Sequence, residues 1–490
     1  MAKLVRNISI YSLGNILNKG VMFLLLPLYT RVLQPADYGK LELVNTVGAI
    51  LMLVYGLMVE NGYSRLYFQK KDINWRKELF FSGQVFNLFC AFVFGSLSFV
   101  YSETLSTAIF NFPDGAVFLR LITIVTLLKV LTHIPYNNIR NRQKAKLFVM
   151  LNLSYLIVNI LLTVFFLVIM QIGVRGVLYA QIISGTLELS ALYYFTRDEN
   201  GIKFSLDSLR MMLGFSIFLI PSNLSGYVLN YSNRYFLNEY QNLQQVGLYS
   251  LGAKLSGVIP FLFTEPVKKA FGPHLYELID EPEKCKKLLA DFTRLFFAGL
   301  AFVALSISLF SREIVILIAD KSYSGSFNVV FILSASYLLL GLAGIIVVGI
   351  HLTLKTWIVT IIWPISAVVN VLLNILLIPK YGRMGAAVAT MLSVLFINLS
   401  YFIAVSKVYP TKFAYFKFIQ MFLLMTVINY AGSFIHMQLV YGVVLKFVLL
   451  LLFVYVIYIM KYFTDDEIEK AKQIIHNFKL KLKNLFRFNQ

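Results

Sequence analysis

Stretches of about 20 apolar residues, the length a helix needs to cross roughly 30 Å of hydrocarbon, recur along almost the whole chain. Fourteen such spans can be drawn, near residues 7–30, 41–64, 79–100, 116–136, 147–170, 175–196, 211–235, 246–267, 290–310, 327–350, 356–378, 385–405, 413–435 and 438–460. Hydrophobic residues make up 58% of the chain and charged ones only 14%. Soluble domains carry roughly a quarter charged residues, so water is not the main solvent here. Within lipid each helix satisfies its own backbone, and the sequence predicts an all-α polytopic membrane protein of about fourteen transmembrane helices. Lys3 and Arg6 precede the first run, but no small-residue cleavage site follows. That run exceeds a signal-peptide core, so it is expected to remain as the first helix.

A net charge of +20 would point to nucleic acid in a soluble protein, but here its placement along the chain decides its meaning. With the N-terminus in the cytoplasm, 31 Lys and Arg fall in cytoplasmic stretches and 7 in outer loops. This is the positive-inside pattern. It places both termini in the cytoplasm and makes the charge a matter of topology and lipid headgroups, with no nucleic acid partner. Cys90 sits in the third span and Cys285 in a cytoplasmic loop, so no disulfide is expected. Five histidines and two cysteines at no ligand spacing predict no metal site. Glycine-rich phosphate loops and nucleophile elbows are absent, and no cofactor is expected.

The chain matches itself at one offset. Gly173-Val-Arg-Gly176, Ala180 and Ser184 align with Gly382-Arg-Met-Gly385, Ala389 and Ser393, all 209 apart, and Ser102-Glu-Thr-Leu aligns with Ser311-Arg-Glu-Ile. Tyr38-Gly39 aligns with Val246-Gly247 at 208. Six spans per repeat is an even number, so the repeats are expected to be parallel, with a substrate site between them. The expected divisions are a six-helix lobe at 1–205, a second at 206–410, two further helices at 411–462, and a basic tail at 463–490. Thr464 and Glu467 have capping-box spacing, and apolar and basic residues follow in a pattern suited to lying on the inner leaflet.

A charge near the centre of a membrane helix costs about 2.5–3.5 kcal/mol on insertion scales, so each one calls for a reason. Ser12, Asn15 and Lys19 form one polar stripe, and Asn223, Asn230 and Arg234 another. Ser250 and Lys254 share a face to which Glu265 returns after three turns of unbroken helix. Glu42, Asn45 and Glu60 lie at compatible angles in the second span; Arg120, Lys129 and His133 lie in the fourth, Gln181 and Glu188 in the sixth, and Lys446 in the last. One reading is a hydrated cationic cavity lined by Lys19, Arg234 and Lys254, with Lys129 and Arg120 as further candidates, and with Glu60, Glu188 and Glu265 as candidates for ion or proton coupling. The other is that basic side chains snorkel to the interface and Glu–Lys pairs join helices.

Three stretches also resemble a known family. Lys19-Gly-Val-Met-Phe-Leu-Leu-Leu-Pro-Leu-Tyr-Thr-Arg-Val-Leu-Gln-Pro-Ala-Asp-Tyr-Gly39 is similar to the first helix and hairpin of the Wzx-like polysaccharide and O-antigen flippases, a branch of the multidrug/oligosaccharidyl-lipid/polysaccharide exporter superfamily. Asn233-Arg-Tyr-Phe-Leu-Asn-Glu-Tyr, running on to Val246-Gly-Leu-Tyr-Ser-Leu-Gly-Ala-Lys254, resembles that family's junction between helices 7 and 8, and Asn370 to Thr390 its helix 11–12 signature. The resemblance implies two six-helix lobes in a V-shaped arrangement plus two helices, alternating access, and a polyprenyl-diphosphate-linked oligosaccharide as substrate, its lipid tail in a membrane-facing groove. It also implies that Arg234 and Lys254 line the lumen. Where many relatives carry Asp before that arginine, this chain has Asn233. Membrane lipids are expected partners, as are contacts with polysaccharide assembly proteins.

Competing functions are a peptidoglycan-precursor flippase, a multidrug exporter of the same superfamily, and a membrane glycosyltransferase or polymerase. The drug exporter fits poorly, because a cationic cavity repels cationic drugs. The enzyme fits poorly too: the longest outer loop, near 101–115, offers only Glu103 and Asp114 for acid–base work.

Overall fold

The computed structural model describes residues 25–199, 201–435, 439–469 and 473. Lys19 and most of the basic tail lie outside the described residues. Everything regular among the described residues is helical, with no strand. Residues 25–32 are helical and are labelled α1. It is followed by α2 (Pro35–Gly56), α3 (Val59–Leu66), α4 (Ile73–Val100), α5 (Ser102–Ile109), α6 (Gly115–Asn141), α7 (Ala145–Val164), α8 (Val174–Thr196), α9 (Leu206–Ser216) and α10 (Ile220–Tyr240). Then come α11 (Leu243–Ser256), α12 (Glu265–Glu277), α13 (Pro282–Leu309), α14 (Ser311–Ile318), α15 (Val330–Ile346), α16 (Val348–Leu352), α17 (Trp357–Val408), α18 (Tyr415–Ser433) and α19 (Leu439–Ile459).

Ten of the described helices are long and apolar enough to cross a membrane. That number is below the fourteen predicted spans partly because the first span falls mostly outside the described residues and because α17 holds two spans in one run. Gly382, at φ 52° and ψ −132°, breaks α17 in the middle. Gly173 makes the matching turn before α8 at φ 68°. Three residues on, a Cβ at Gly176 would lie 2.9 Å from the Phe166 side chain, and one at Gly385 would lie 2.4 Å from the Leu377 carbonyl. Both copies of Gly-x-x-Gly therefore do the same work: a left-handed turn, then a helix laid tightly on the one before it.

Two sequence expectations assumed unbroken helices. Leu57 and Met58, at φ 42° and 57°, separate α2 from α3, so Glu60 does not continue the face of Glu42. A π-turn at Pro260–Thr264 lies between Lys254 and Glu265 and resets the register over which Glu265 was to return.

The chain forms two compact units, and these divide it differently from the sequence repeat. The first holds the described residues up to 255 with 314–333 and 356–400; the second holds 256–313, 334–355 and 401 onward. In the first, Val59, Tyr63, Phe80, Ile134 and Met212 form one core, and Leu237, Val246, Tyr249, Ile378, Ala386 and Ala387 another. Segments from the two halves of the repeat meet in this unit. Thr30 donates to the Ile318 carbonyl at 3.0 Å, Tyr323 to that of Leu33 at 2.9 Å, and Asn238 to that of Phe110 at 2.6 Å.

In the second unit α13 packs on α18, with the Phe297 and Phe418 rings edge to face at 5.0 Å. Lipid supplies no hydrophobic force between helices, so close packing and polar contacts hold such an assembly. One of these contacts is buried: the Lys446 ammonium on α19 donates to both Glu313 oxygens on α14, at 2.6 and 2.8 Å. At the end of α19, Thr464 and Glu467 make both bonds of a capping box, and Glu467 also pairs with Arg294 of α13 at 2.5 Å.

Candidate functional site

Two glycines bring the charged residues of the first unit together. A Cβ on Gly39 of α2 would lie 2.0 Å from the Leu243 carbonyl oxygen of α11, and one on Gly247 would lie 1.9 Å from that of Pro35. Only glycines allow this backbone approach. They are the Tyr38-Gly39 and Val246-Gly247 pair of the internal repeat, so equivalent positions of the two halves cross here. Glu42 follows Gly39 by three residues, and Ser250 and Lys254 follow Gly247 by three and seven, which keeps all three on the crossing faces.

The Glu42 carboxylate consequently bridges two cations. One oxygen lies 3.2 Å from the Lys254 ammonium and the other 3.4 Å from the Arg234 guanidinium of α10. Arg234 is further held by Ser250 Oγ at 3.1 Å, by the Asn230 carbonyl at 3.0 Å and by the face of the Tyr231 ring. The Glu42 and Arg234 side chains are 9% and 7% exposed, whereas that of Lys254 is 40% exposed. The cluster has a fixed, buried end and an open, cationic one. Formally it holds two positive charges and one negative.

Beside it lies a neutral network. Asn233 donates to Tyr249 at 2.6 Å and Thr390 at 2.7 Å, and accepts from Asn374 at 2.7 Å. Asn374 also reaches Asn370 at 3.1 Å, and Asn370 donates to Ser393 at 3.2 Å. These groups come from α10, α11 and both parts of α17, and they include the Asn positions of the third sequence motif. A carboxylate in place of Asn233 could not donate the two bonds that its amide makes here.

The remaining candidates fall in other places. Lys129 and His133 of α6 lie near Glu188 of α8 and Glu60 of α3: Glu60 is 3.8 Å from the His133 ring, Tyr136 donates to Glu188, and the Lys129 and Glu188 charges interact. Glu60 Oε2 is buried and has no hydrogen-bond partner. Arg120 stands at the α5–α6 end, bonded to Ser102 at 2.8 Å and 3.8 Å from Glu103, apart from the Arg234 cluster. Glu265 belongs to the second unit, where it pairs with Lys268 at 3.2 Å. No group of metal-binding side chains occurs among the described residues.

Sequence reasoning placed Glu42 among the polar positions of its span but did not pair it with Arg234 and Lys254. The signal available was its three-residue spacing from a glycine that the repeat had already marked. Glu313 was not singled out at all, because it stands at the end of an apolar run, where a carboxylate costs little to expose.

A family model described as polysaccharide biosynthesis protein matches residues 28–327, more than half of the chain. The chain is 21% identical over 273 residues to the succinoglycan biosynthesis transport protein ExoT of Rhizobium meliloti, covering 55% of this chain and 53% of that one. It is 22% identical to the Lsg locus putative protein 1 of Haemophilus influenzae, covering 68% of this chain and 82% of the relative. The chain thus spans about half the length of the first of these relatives. Among solved structures, the lipid II flippase MurJ in an inward closed conformation superposes with a TM-score of 0.74 at 13% identity, over 91% of this chain and 98% of the other. An inward-facing multidrug resistance MATE family transporter of the MOP superfamily gives 0.63 at 13% identity, over 82% and 98%. These likenesses, both at 13% identity, establish the fold alone, an all-helical architecture. With the family model matched from residue 28 into the second half of the repeat, over more than half of its length, the chain belongs to the polysaccharide biosynthesis protein family.

Proposed function

We propose that this protein is a flippase carrying a polyprenyl-diphosphate-linked oligosaccharide from the cytoplasmic to the outer leaflet of a bacterial cytoplasmic membrane, with both termini in the cytoplasm. The observation that carries the reading is the Arg234–Lys254 pair, drawn from adjacent helices to a single carboxylate of the other half, with Lys254 left partly open. A diphosphate of about two negative charges gains roughly 4.6 kcal/mol on moving outward through 100 mV, inside negative. The protein's task is to shield that headgroup from hydrocarbon on the way. Guanidinium and ammonium groups suit it, one as a planar fork and one as a mobile point charge. In this reading Lys129 adds positive charge along the path, Arg120 stands at its margin, and Glu60, Glu188 and Glu265 are the carboxylates available for ion or proton coupling.

A peptidoglycan-precursor flippase is the second reading, supported by the superposition on a lipid II flippase. It shares the diphosphate and differs in the glycan. Proteoliposomes loaded with a fluorescent undecaprenyl-diphosphate oligosaccharide test both. Arg234→Ala and Lys254→Ala should each slow flipping at least about tenfold, the effect of losing roughly 1.4 kcal/mol of binding to the moving headgroup, while Lys254→Arg should retain much of the rate. Normal flipping by both alanine variants would sink the diphosphate site. Exchange of the oligosaccharide for a lipid II glycan then separates the two readings.

A further inference from the structure

We infer that Glu42 is a resident counter-anion that an incoming headgroup must displace, and that it sets the site's preference for diphosphates over singly charged phospholipid headgroups. The inference rests on the diphosphate site proposed above and names the residue that determines its selectivity.

The geometry supplies the reason. Glu42 offers one oxygen to each cation, at 3.2 and 3.4 Å, and so fills the position that two oxygens of one phosphate would take. Arg234 is anchored independently by Ser250 and by the Asn230 carbonyl, so it does not depend on Glu42 for its position. Lys254, 40% exposed, can turn from Glu42 toward a ligand. A singly charged headgroup offers these cations no more charge than Glu42 already does, and it arrives without the carboxylate's advantage of being tethered. A diphosphate brings more charge and more acceptor oxygens, enough to hold both cations while Glu42 is set aside. Membrane phospholipids with one negative charge surround the protein in excess, so a bare pair of cations would be occupied by them. A fixed internal competitor raises the threshold for every anion and rejects the weaker ones outright. The same displacement removes the ion pairs by which α2 is tied to α10 and α11, so that binding loosens a contact between the two halves of the repeat.

Isothermal titration of the full-length protein in detergent tests this, with inorganic pyrophosphate and dihexanoyl phosphatidylglycerol as probes. Wild type should bind pyrophosphate and scarcely bind the phospholipid. Glu42→Gln should bind the phospholipid at least about tenfold more tightly than wild type, with the preference for pyrophosphate reduced by a similar factor, as expected for removal of one close competing charge. Lys254→Gln, which leaves one cation against Glu42, should bind neither probe. Glu42→Gln with Lys254→Gln should regain phospholipid binding, and this comparison stands even where the single Glu42 variant does not fold. If pyrophosphate binds wild type but not Lys254→Gln, and Glu42→Gln and the double variant gain nothing, Glu42 is only a helix tie and the inference fails while the diphosphate site stands. If wild type and Lys254→Gln treat pyrophosphate alike and Lys254→Ala flips normally, the site itself is wrong.

Discussion

Replacing Gly39 by Ala tests the crossing on which the charged cluster is built. The new Cβ would stand 2.0 Å from the Leu243 carbonyl oxygen and 2.8 Å from the Gly247 nitrogen, both backbone atoms that no rotamer change can move. A carbon–oxygen contact settles near 3.3 Å, so α2 and α11 must part by about 1.3 Å. Overpacking of this kind costs about 1–3 kcal/mol. The same movement stretches the Glu42–Lys254 pair from 3.2 Å to about 4.5 Å, a further loss of roughly 1.5 kcal/mol at an effective dielectric of 20, less whatever water already screens at the exposed lysine. Against this, Ala is worth up to about 1 kcal/mol over Gly within a helix. The net expectation is destabilisation by about 1–3 kcal/mol, accompanied by slower flipping. Gly299→Ala is the control: a Cβ there meets nothing within 4 Å, so only the helix gain should appear. Thermal unfolding of both variants in lipid nanodiscs makes the comparison. Gly39→Ala with Gly247→Ala should cost less than the sum of the two, because one separation relieves both clashes. If Gly39→Ala proves as stable as Gly299→Ala, the two helices do not cross as described and the placement of Glu42 against Lys254 falls with them.

Three further outcomes are expected. Lys446→Met and Glu313→Gln should each destabilise by about 3 kcal/mol, because each strands a buried charge or dipole; the double variant should recover most of it in the same unfolding assay, and additive losses would refute the pairing. Glu467 would be raised by its partial burial, but the Arg294 guanidinium and the Thr464 capping bonds outweigh that and hold its carboxyl below the usual range. A lowered carboxylate contributes stability that is complete above its ordinary value of about 4.3 and is lost only at lower pH. Amide-exchange protection over residues 462–469 should therefore be constant from neutral pH to that value and fade only beneath it, and Glu467→Gln should lack it throughout. Reporter fusions after Leu33, Asn111 and Asn238 should read outside and those after Lys71, Lys144 and Gln490 inside; a reproducible inside signal at Asn111 would overturn the charge-based topology.

The membrane class and the helical architecture were legible in the sequence because hydrocarbon thickness fixes span length and each residue contributes to the pattern independently; the family was legible only through the resemblance of the three motifs. The repeat was legible for a related reason: Gly173 and Gly382 occupy the same left-handed turn, a requirement that leaves little choice of residue. Pairings between helices were harder to read. Periodicity carried Glu60 onto the face of Glu42 and Glu265 onto that of Lys254, but two left-handed residues and one π-turn intervene. The first break has no sequence signature, since Leu57 and Met58 are ordinary apolar residues; the second begins at Pro260, which marks an irregularity without saying how far the register is reset. Lys446 could be recognised as anomalous within its span, yet its partner lies 133 residues away. Spacing along one helix carries no information about that distance.

That separation bears on how the polypeptide is made. The translocon must hand α19 to lipid after Glu313 has already been delivered, since the carboxylate precedes Lys446 in the chain by 133 residues. Alone, a lysine this far inside a membrane segment weighs about 2.5–3.5 kcal/mol against insertion. The surrounding valines and leucines of α19 can carry that, but only by leaving an ammonium in contact with lipid until it finds the carboxylate. Assembly of the late helices is thus a capture step in which the earlier part of the polypeptide acts as the receptor. Synthesised without that earlier part, the α18–α19 hairpin would enter the bilayer with its charge unanswered and present quality-control proteases with a polar flag that the intact protein hides.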